Sequence, residues 1–188
     1  MRTCEHCGIS VEGKRANARY CSTSCRVMAS RDRGRARKAF PDEMTSAGRW
    51  VRWANRERKG KTTKVPLTVS GRAASSKNEV TWTDYASASA STVGDGLGFV
   101  LGNGVGCVDL DDCLSDGAPN EVARRFLDIY GKEALLVEVS HSGRGLHMFL
   151  PMEQGKGSVR VDRGQRIEIY PPDSGRYIAV TGEKFVME

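Results

Sequence analysis

Four cysteines near the N-terminus constrain the fold of this chain more than any other feature of its sequence. They follow the spacing C-x2-C-x13-C-x3-C and are Cys4, Cys7, Cys21 and Cys25. Two thiolate pairs brought together by a loop match the needs of a tetrahedral zinc ion. Because four thiolates leave no position for water, we expect a structural zinc site. His6 is an alternative ligand, although we expect it to face solvent.

The rest of the composition is that of a soluble globular protein. The 188 residues are 39% hydrophobic and 28% charged, and no apolar run approaches the roughly 20 residues that cross a bilayer. The opening residues MRTCEHCGIS lack the apolar stretch of a secretory signal. We therefore expect a cytoplasmic protein without membrane contact, whose six cysteines stay reduced and act as ligands or core residues.

Positive charge is concentrated in the N-terminal fifth of the chain. Residues 1–40 contain ten Lys and Arg against three Asp and Glu, whereas the remaining residues contain 19 against 20. A helix running on from Cys25 would display Arg26, Arg31, Arg33, Arg35, Arg37 and Lys38. Such a surface attracts polyanions, nucleic acid above all, although a solubilising tail has the same composition.

Pro41 follows the basic run and predicts a domain boundary. We expect a four-cysteine finger with a basic helix at 1–40 and a second domain at 41–188. Apolar spacing and capping residues predict helices at 42–58, at 81–91 with Thr81 or Thr83 as cap, and at 120–130 with Asn120 as cap. The basic stretch RERKGKTTK at 56–64 predicts a loop at the end of the first of these helices. Alternation predicts strands at 97–102, 105–111, 134–139, 145–150, 166–170 and 176–181, the first two as a hairpin. This order of elements indicates an α+β fold.

Two aspartates in the stretch GCVDLDDCL are candidate metal ligands. Asp109 and Asp111 alternate along a strand, so both carboxylates leave the same face. Carboxylates about 6–7 Å apart repel each other when ionised, and a divalent cation relieves that repulsion. Hard oxygen ligands favour Mg²⁺ or Mn²⁺. The alternative is a strand end whose acids face water, with Asp112 in the following turn and Cys107 and Cys113 in packing roles.

The stretch SHSGRGLHMF at 140–149 joins a glycine loop to a strand that carries a histidine. The glycines permit a tight loop whose N–H groups gather around an anion such as a triphosphate, with Ser142 and Arg144 as further donors. His147 follows on the polar face of its strand, and Glu168 leaves the strand RIEIY in the same way. Taken singly, these two residues are better explained as a sheet histidine and a solvent-facing acid.

The order of the motifs resembles that of the primase–polymerases, also called archaeo-eukaryotic primases. A DxD motif, an SGxGxH motif and an apolar-Glu-apolar strand follow one another in that family, and the likeness extends across most of 48–183. It is carried by Trp53, Lys64, Pro66 and Gly71, by TW at 81–82, and by GLGFVLG, VDLDDC, VEVSHSGRGLHMF, IEIY and RYIAVTG. The phage and plasmid type of the family, with its SxSGxGLH motif, is the most similar. The stretch RYCSTSCR at 19–26 resembles small CxxC…YCSxxCR fingers, which are accessory nucleic-acid or protein-contact modules.

The resemblance implies an RNA-recognition-like antiparallel sheet with a preceding α/β unit, acting as a template-dependent DNA primase or polymerase. It implies that two divalent cations, Mg²⁺ or Mn²⁺, would be held by Asp109, Asp111 and Glu168. The nucleotide triphosphate would be bound by His147, Arg144 and either Ser142 or Ser140. Lys64 and Arg176 are weaker candidates for nucleotide or primer contact. The implied partners are a single-stranded template or primer–template, nucleoside triphosphates and a separate replicative helicase.

Two other functions are compatible with the sequence. One is a zinc-anchored DNA-binding replication initiator or adaptor with little turnover, which the absence of a helicase or further helical domain before Glu188 would suit. The other is a metal-dependent nuclease that uses the same acids. The stretch SGRGLH at 142–147 disfavours the nuclease, because a nuclease has no triphosphate to hold.

Overall fold

The structure, a computed structural model, divides the chain into two compact units. They are Met1–Ala39 and Phe40–Glu188, and the boundary predicted from the sequence follows residue 40. The structure describes residues 2–15, 18–28, 39–58 and 60–187. Five of the cations assigned to the basic helix lie outside the described residues, namely Arg31, Arg33, Arg35, Arg37 and Lys38.

The first unit is built around its cysteines. The backbone turns at the first pair, where the Cys4 N–H donates to the Ile9 carbonyl (2.8 Å) and the Gly8 N–H donates to the Cys4 carbonyl (2.9 Å). At the second pair, the Ser22 hydroxyl accepts the Cys25 N–H (3.1 Å) and a helical segment occupies 23–28. A tight turn and a capped helix start therefore each present cysteines to the same point.

The second unit contains helices, strands and one 3₁₀ turn at Glu79–Thr81. Its helices are α1 (Asp42–Thr45), α2 (Tyr85–Ala90) and α3 (Glu121–Tyr130). Its strands are β1 (Trp50–Arg58), β2 (Lys61–Leu67), β3 (Gly96–Val100), β4 (Val105–Leu110), β5 (Leu114–Ser115), β6 (Ala118–Pro119), β7 (Leu136–Val139), β8 (Leu146–Pro151), β9 (Ser158–Asp162), β10 (Gln165–Tyr170) and β11 (Tyr177–Val180). Within the described ranges, no helix combines the length and apolarity that a membrane span requires.

The strands form two main sheets and one small pair. The four-stranded sheet has the order β11-β3-β1-β2, the five-stranded sheet has the order β7-β8-β4-β10-β9, and β5 pairs with β6. These strands all pair in antiparallel fashion. The structure thus confirms the α+β class, with mostly antiparallel sheets.

The helix predicted at 42–58 is wrong beyond its first turn. α1 covers only that turn, and β1 takes up the rest as a central strand of the four-stranded sheet. The first five residues of β1 are all buried, so the strand is covered on both faces. Its aromatic and β-branched residues, Trp50, Val51 and Trp53, favour a strand over a helix, and Arg52 is buried among them by donating to the Val93 carbonyl at 2.6 Å. The loop predicted at 56–64 is likewise wrong, because it forms the end of β1 and the start of β2.

The strands predicted as a hairpin belong to different sheets. β3 pairs with β1 and β11, whereas β4 pairs with β8 and β10. The connection turns through Gly102, Asn103 and Gly104, all with positive φ, and a single bridge between Gly102 and Val105 is the only ladder contact across it. The chain therefore reverses at Asn103 and Gly104, but the strands on either side then join different sheets and do not pair with each other.

The helix predicted at 81–91 begins later than expected. A 3₁₀ turn at Glu79–Thr81 comes first, and α2 is capped by Asp84, whose carboxylate accepts the Ser87 N–H at 2.8 Å. Aspartate caps a helix at least as well as threonine, so the predicted caps Thr81 and Thr83 are wrong.

The third predicted helix is confirmed as α3, and it covers one face of the five-stranded sheet. Asn120 caps it by accepting the Ala123 N–H at 2.9 Å, and Gly131 ends it. Its buried residues pack with alternate residues of the central strands in a core of Val108, Leu110, Leu146, Met148, Ile167, Val122, Ala123 and Phe126. Because side chains alternate along a strand, the residues between these core positions lie on the opposite face of the sheet.

We expect Gly94→Ala to destabilise the protein strongly. Gly94 has a φ of 66°, and a Cβ there would overlap the backbone carbonyl of Trp53. The matched control is Gly104→Ala, since Gly104 has a φ of 76° and open space around it. Urea unfolding followed by tryptophan fluorescence should show a loss of about 3 kcal/mol or more for Gly94→Ala and about 1 kcal/mol for the control. Equal losses would contradict the close approach.

Candidate functional site

Four polar side chains form one row across the five-stranded sheet. β10 pairs Glu168 with Asp109 of β4. β8 pairs His147 with Asp109 on one side and with Glu138 of β7 on the other. Directly paired residues of antiparallel strands project from the same face. The sheet therefore brings together three residues predicted from the sequence, Asp109, His147 and Glu168, and adds Glu138, which was not predicted.

At the β7 end of this row, Glu138 and His147 form a buried carboxylate–imidazole pair. The Glu138 side chain is fully buried, and His147 is 6% exposed. His147 Nδ1 lies 2.9 Å from Glu138 Oε1, whereas His147 Nε2 lies 3.9 Å from Asp109 Oδ1. Glu138 also accepts the backbone N–H groups of Thr181 (3.2 Å) and Gly182 (2.8 Å). The imidazole is thus held through Nδ1 and turns Nε2 towards Asp109.

Asp109 and His147 line a cleft of about 230 Å³ between the two sheets. The four-stranded sheet contributes Lys64 from β2 and residues 177–179 from β11 to the opposite wall. The Tyr177 hydroxyl donates to the Lys64 carbonyl at 2.8 Å, so the two strands that bear this wall are tied together. A cleft with one carboxylate, one imidazole and one ammonium suits a small, highly charged ligand.

Lys64 is the cation that faces the acids across this cleft. Its Nζ lies 5.3 Å from the centre of the Trp53 ring, in cation–π contact. Partial removal from water lowers the pKa of Lys64, while the carboxylates of Asp109 and Asp111 act in the opposite direction. The predicted ligand-contact residue Lys64 therefore does lie beside the predicted acids.

Asp109 is the most perturbed carboxylate of the row. Burial is the main reason that the pKa of Asp109 is raised to about 6; Asp111 and Glu168 contribute to the rise, whereas His147 and Lys64 oppose it. Burial and the Glu168 carboxylate also raise the pKa of Asp111, although that side chain is half exposed. Acids that repel one another in a partly dry site are placed where an added cation is stabilising.

Arg166 lies between two of the predicted metal ligands. Its guanidinium binds the Glu168 carboxylate through two nitrogens and lies 3.6 Å from Asp111 Oδ2. The Tyr170 hydroxyl donates to the other oxygen of Glu168 at 2.6 Å. Burial opposes ionisation of Glu168, but the hydrogen bonds from Tyr170 and Arg166 outweigh it and lower the pKa of Glu168. Arg166 thus supplies a positive charge to the acids in this conformation.

The three acids offer the oxygen donors that Mg²⁺ and Mn²⁺ prefer, but they do not form a closed ligand shell. Among the described residues, only the cysteine cluster brings three or more metal-ligand atoms within 4.8 Å of one another. Asp111 and Glu168 bind Arg166 instead of converging with Asp109. The three carboxylates are the right donors for Mg²⁺ or Mn²⁺, but two of them are oriented towards Arg166.

The predicted anion loop is a tight turn that satisfies much of its own backbone. The Ser140 carbonyl accepts the Gly143 N–H (2.9 Å), and the Ser142 and Ser140 hydroxyls accept the N–H groups of Arg144 and Gly145 (both 3.2 Å). The Arg144 side chain is exposed and pairs with Asp112 at 2.8 Å. Side-chain hydroxyls and the guanidinium, more than backbone N–H groups, are therefore what this loop offers to an anion.

Two further residues flank the site. The predicted contact residue Arg176 is exposed and lies 5.0 Å from the centre of the Tyr170 ring, so it reaches the Glu168 end of the row. His141, in the predicted anion loop, makes an edge-to-face contact with Trp53 at 4.8 Å, and its Nε2 lies 3.2 Å from the Val180 carbonyl. Burial lowers the pKa of His141, so its observed role is to pack the loop against the other sheet.

The cysteines meet the geometric requirement for zinc. All four sulfur atoms lie within 4.8 Å of one another, with Sγ–Sγ distances of 3.5 Å for Cys7–Cys21, 3.4 Å for Cys21–Cys25 and 3.7 Å for Cys7–Cys25. Zn–S bonds of about 2.3 Å at tetrahedral angles put sulfur atoms about 3.8 Å apart. Burial opposes ionisation of Cys4, but backbone N–H groups of the cluster outweigh it and lower the pKa of Cys4 to about 6. The cluster can therefore hold a metal ion such as zinc.

Glu138 and Arg166 are the site residues that sequence reasoning missed. Glu138 stands between Val137 and Val139 in the same apolar-Glu-apolar pattern that marks Glu168, so the local signal was present. What the sequence lacked was the register that puts Glu138 opposite His147. Arg166 carries no comparable signal, because an arginine two residues before an acid is common on exposed strands.

Comparisons with protein-family models and with curated proteins identify no relative of this chain. No protein-family model matches the chain, and no curated protein matches it closely enough to be treated as a relative.

We expect Asp109→Asn to stabilise the protein at pH 8 when no divalent cation is added. The pKa of Asp109 is about 6 in the folded protein and about 3.8 in the unfolded chain. The folded state therefore binds a proton on Asp109 more tightly than the unfolded chain does. Stability is then lost as the pH rises from about 4 through 6, and the neutral amide avoids that loss. Urea unfolding at pH 8 should show a gain on the order of 2 kcal/mol that disappears near pH 4. Asp162→Asn is the control, because Asp162 of β9 pairs with Arg125 near the surface. A similar gain in that variant would contradict the raised pKa of Asp109.

We expect the purified protein to contain one zinc ion per chain and Cys25→Ser to contain almost none. Loss of one thiolate removes a quarter of the ligand shell, and serine is a poor replacement for a soft donor. Elemental analysis after gel filtration measures the zinc content. Cys113→Ser is the matched control, because Cys113 is a buried cysteine outside the cluster, and it should retain the metal. Full zinc content in Cys25→Ser would contradict the site.

Proposed function

We propose that this protein is a template-dependent nucleotidyltransferase that acts as a DNA primase or DNA polymerase in phage-type or plasmid-type replication. The observation that carries the proposal is the row of Glu168, Asp109 and His147 on three adjacent strands, at a cleft whose other wall bears Lys64. Carboxylates beside phosphate-binding cations are what transfer of a nucleotidyl group requires. The RNA-recognition-like form of the sheet and the primase–polymerase fold belong to the same proposal.

Asp109, Asp111 and Glu168 would hold the divalent cations. Three carboxylates carry enough charge for two Mg²⁺ or Mn²⁺ ions, which would orient a 3′-hydroxyl and neutralise charge on the leaving pyrophosphate. Arg166 binds two of these acids in the described conformation. It would have to release them when the ions bind, and its guanidinium would then be available to a phosphate.

His147, Lys64, Ser142 and Arg144 would bind the triphosphate. The cleft presents His147 Nε2 and the Lys64 side chain to the same space, while Ser142 and Arg144 lie on the loop that precedes β8. Donors fixed before the reaction stabilise charge that grows on phosphate oxygens in the transition state. Arg176, near the Glu168 end of the row, is the candidate for primer contact.

The first unit would serve nucleic-acid binding. A zinc-held platform with ten Lys and Arg among residues 1–40 gives a surface that attracts a single-stranded template or a primer–template. The Tyr20 ring, beside an Arg19 guanidinium that Glu5 pairs at 2.7 Å, adds an aromatic surface of the kind that stacks on bases. A separate helicase would open the duplex.

One observation favours a second function. Because Arg166 already neutralises part of the charge on Asp111 and Glu168, the domain could bind DNA as a replication initiator or adaptor with little turnover. The nuclease has no comparable support, since the residues around the cleft include Lys64 and His147, which suit a triphosphate.

Primer extension separates these functions. The purified protein is incubated with a labelled primer on a single-stranded template, dNTPs or NTPs, and Mn²⁺ or Mg²⁺, and the same mixture without primer tests initiation. We expect metal-dependent products that fall by at least about 100-fold in Asp109→Asn and Glu168→Gln, and by about 100-fold in His147→Ala. Asp162→Asn, whose carboxylate pairs with Arg125 of α3, is the control and should retain activity.

The other outcomes are equally informative. An absence of products under every condition, with template binding intact, would overturn the polymerase and support the DNA-binding adaptor. Metal-dependent shortening of the template without synthesis would support the nuclease. Full synthesis by Asp109→Asn would show that the row of acids is not the catalytic centre.

A further inference from the structure

Glu138 occupies an unusual position for a carboxylate. Among the described residues, it is the one carboxylate that is buried from solvent. Burial of an ionised carboxylate is strongly unfavourable unless hydrogen bonds or charges compensate. The environment of Glu138 therefore has to satisfy it, and the partners that do so indicate what the residue is for.

Three donors converge on this carboxylate. Oε2 accepts the Gly182 N–H at 2.8 Å, the Thr181 N–H lies 3.2 Å from both oxygens, and Oε1 lies 2.9 Å from His147 Nδ1. An ionised carboxylate accepts hydrogen bonds and donates none. His147 must therefore carry its proton on Nδ1, and Nε2 is the ring nitrogen left to face Asp109 and the cleft.

We propose that Glu138 is a positioning residue for His147: it accepts the Nδ1–H, turns Nε2 to the cleft and balances the charge of the imidazolium, whose Nε2–H donates to the phosphate groups of the substrate. The kinetic part of this inference rests on the proposed nucleotidyl transfer. A partner on one ring nitrogen sets the tautomer and orientation of a histidine that acts through the other. Glu138 contacts neither Asp109 nor Glu168 and does not line the cleft, so it acts through His147.

A purely structural role is the competing explanation. Glu138 also fastens residues 181–182, which follow β11, to β7, and the Thr181 hydroxyl donates to the Val139 carbonyl at 2.7 Å beside it. A clamp of this kind would affect stability whether or not His147 is present. The two roles therefore differ in whether the effect of changing Glu138 depends on His147.

Glu138→Gln discriminates well because an amide has one acceptor and one donor. If its oxygen faces Thr181 and Gly182, the amide nitrogen faces His147 and donates to Nδ1, which moves the ring proton to Nε2. The reverse orientation sets the amide N–H₂ against the Gly182 N–H, two donors in contact. The substitution should thus invert the tautomer with little change of shape. It also removes the negative charge that balances the imidazolium, so a neutral ring, which is the weaker donor, then faces the phosphate.

The tautomer is read directly by ¹⁵N NMR of the histidine ring nitrogens at alkaline pH. The chain has three histidines, and the His147 signals are assigned by their loss in His147→Ala. We expect a protonated Nδ1 in the wild-type protein and a protonated Nε2 in Glu138→Gln. A protonated Nε2 in the neutral ring of the wild-type protein would overturn the proposal, even if every Glu138 variant failed to fold.

A double-mutant cycle tests whether Glu138 acts through His147. In primer extension, we expect Glu138→Gln to lower kcat/KM for the nucleotide by about 10- to 100-fold in the wild-type background. In the His147→Ala background, the same change should cost less than about 2-fold, because its target is gone. Glu183→Gln is the matched control, since Glu183 is an exposed glutamate of the adjacent segment, and it should retain full activity.

The outcomes keep the two proposals apart. Equal losses in both backgrounds would establish the clamp and overturn the positioning role. If the wild-type protein synthesises nothing, the nucleotidyltransferase fails. The NMR result then decides the positioning role alone, through the wild-type tautomer and its inversion in Glu138→Gln.

Discussion

The register of the five-stranded sheet is the constraint on which the candidate site depends. Side chains alternate along each strand, so a shift of one residue would exchange Asp109 and His147 with the apolar neighbours that pack under α3. The apolar face therefore enforces the polar one. A core built from Val108, Leu110, Leu146, Met148 and Ile167 holds three strands in register, and the positions of Asp109, His147 and Glu168 follow from that register.

The row is acidic, and the structure balances its charge from three directions. His147 lies between Glu138 and Asp109, Arg166 lies against Asp111 and Glu168, and Lys64 approaches from the other sheet. These counter-charges differ in how firmly they are held. The imidazole is buried and fixed by Glu138, whereas Arg166 and Lys64 are exposed side chains on long stems. A cation that entered the site would displace the exposed arginine far more readily than the histidine. The proposed chemistry therefore uses a fixed donor and an exchangeable one.

The sequence predicted those parts of the molecule whose signals are local. The capped helix α3 and the alternating strands β4, β8 and β10 are each marked by patterns of about ten residues or fewer, and the cysteine motif by its spacing between Cys4 and Cys25. The errors arose where tertiary context decides. The stretch 50–54 fits a helix by apolar spacing, yet it lies in a strand buried on both faces. The strands on either side of the turn at 102–104 diverge into two sheets instead of pairing as a hairpin. Glu138 was missed for the same reason, since only the pairing of β7 with β8 gives it a histidine partner.

The proposed metal sites are separated by ligand chemistry as well as by sequence. Soft thiolates favour zinc, and carboxylate oxygens favour Mg²⁺ or Mn²⁺. Cys107 and Cys113 flank the acids in the sequence and would confuse this division if they ionised. Burial raises the pKa of Cys107 well above its usual value and raises the pKa of Cys113 to about 12, so both remain thiols that pack in the core. Burial thus keeps Cys107 and Cys113 protonated and unable to act as thiolate ligands. Backbone N–H groups instead favour the thiolate of Cys4 in the finger. On the proposed assignment, zinc would bind the first unit and the carboxylates of the second would bind harder cations.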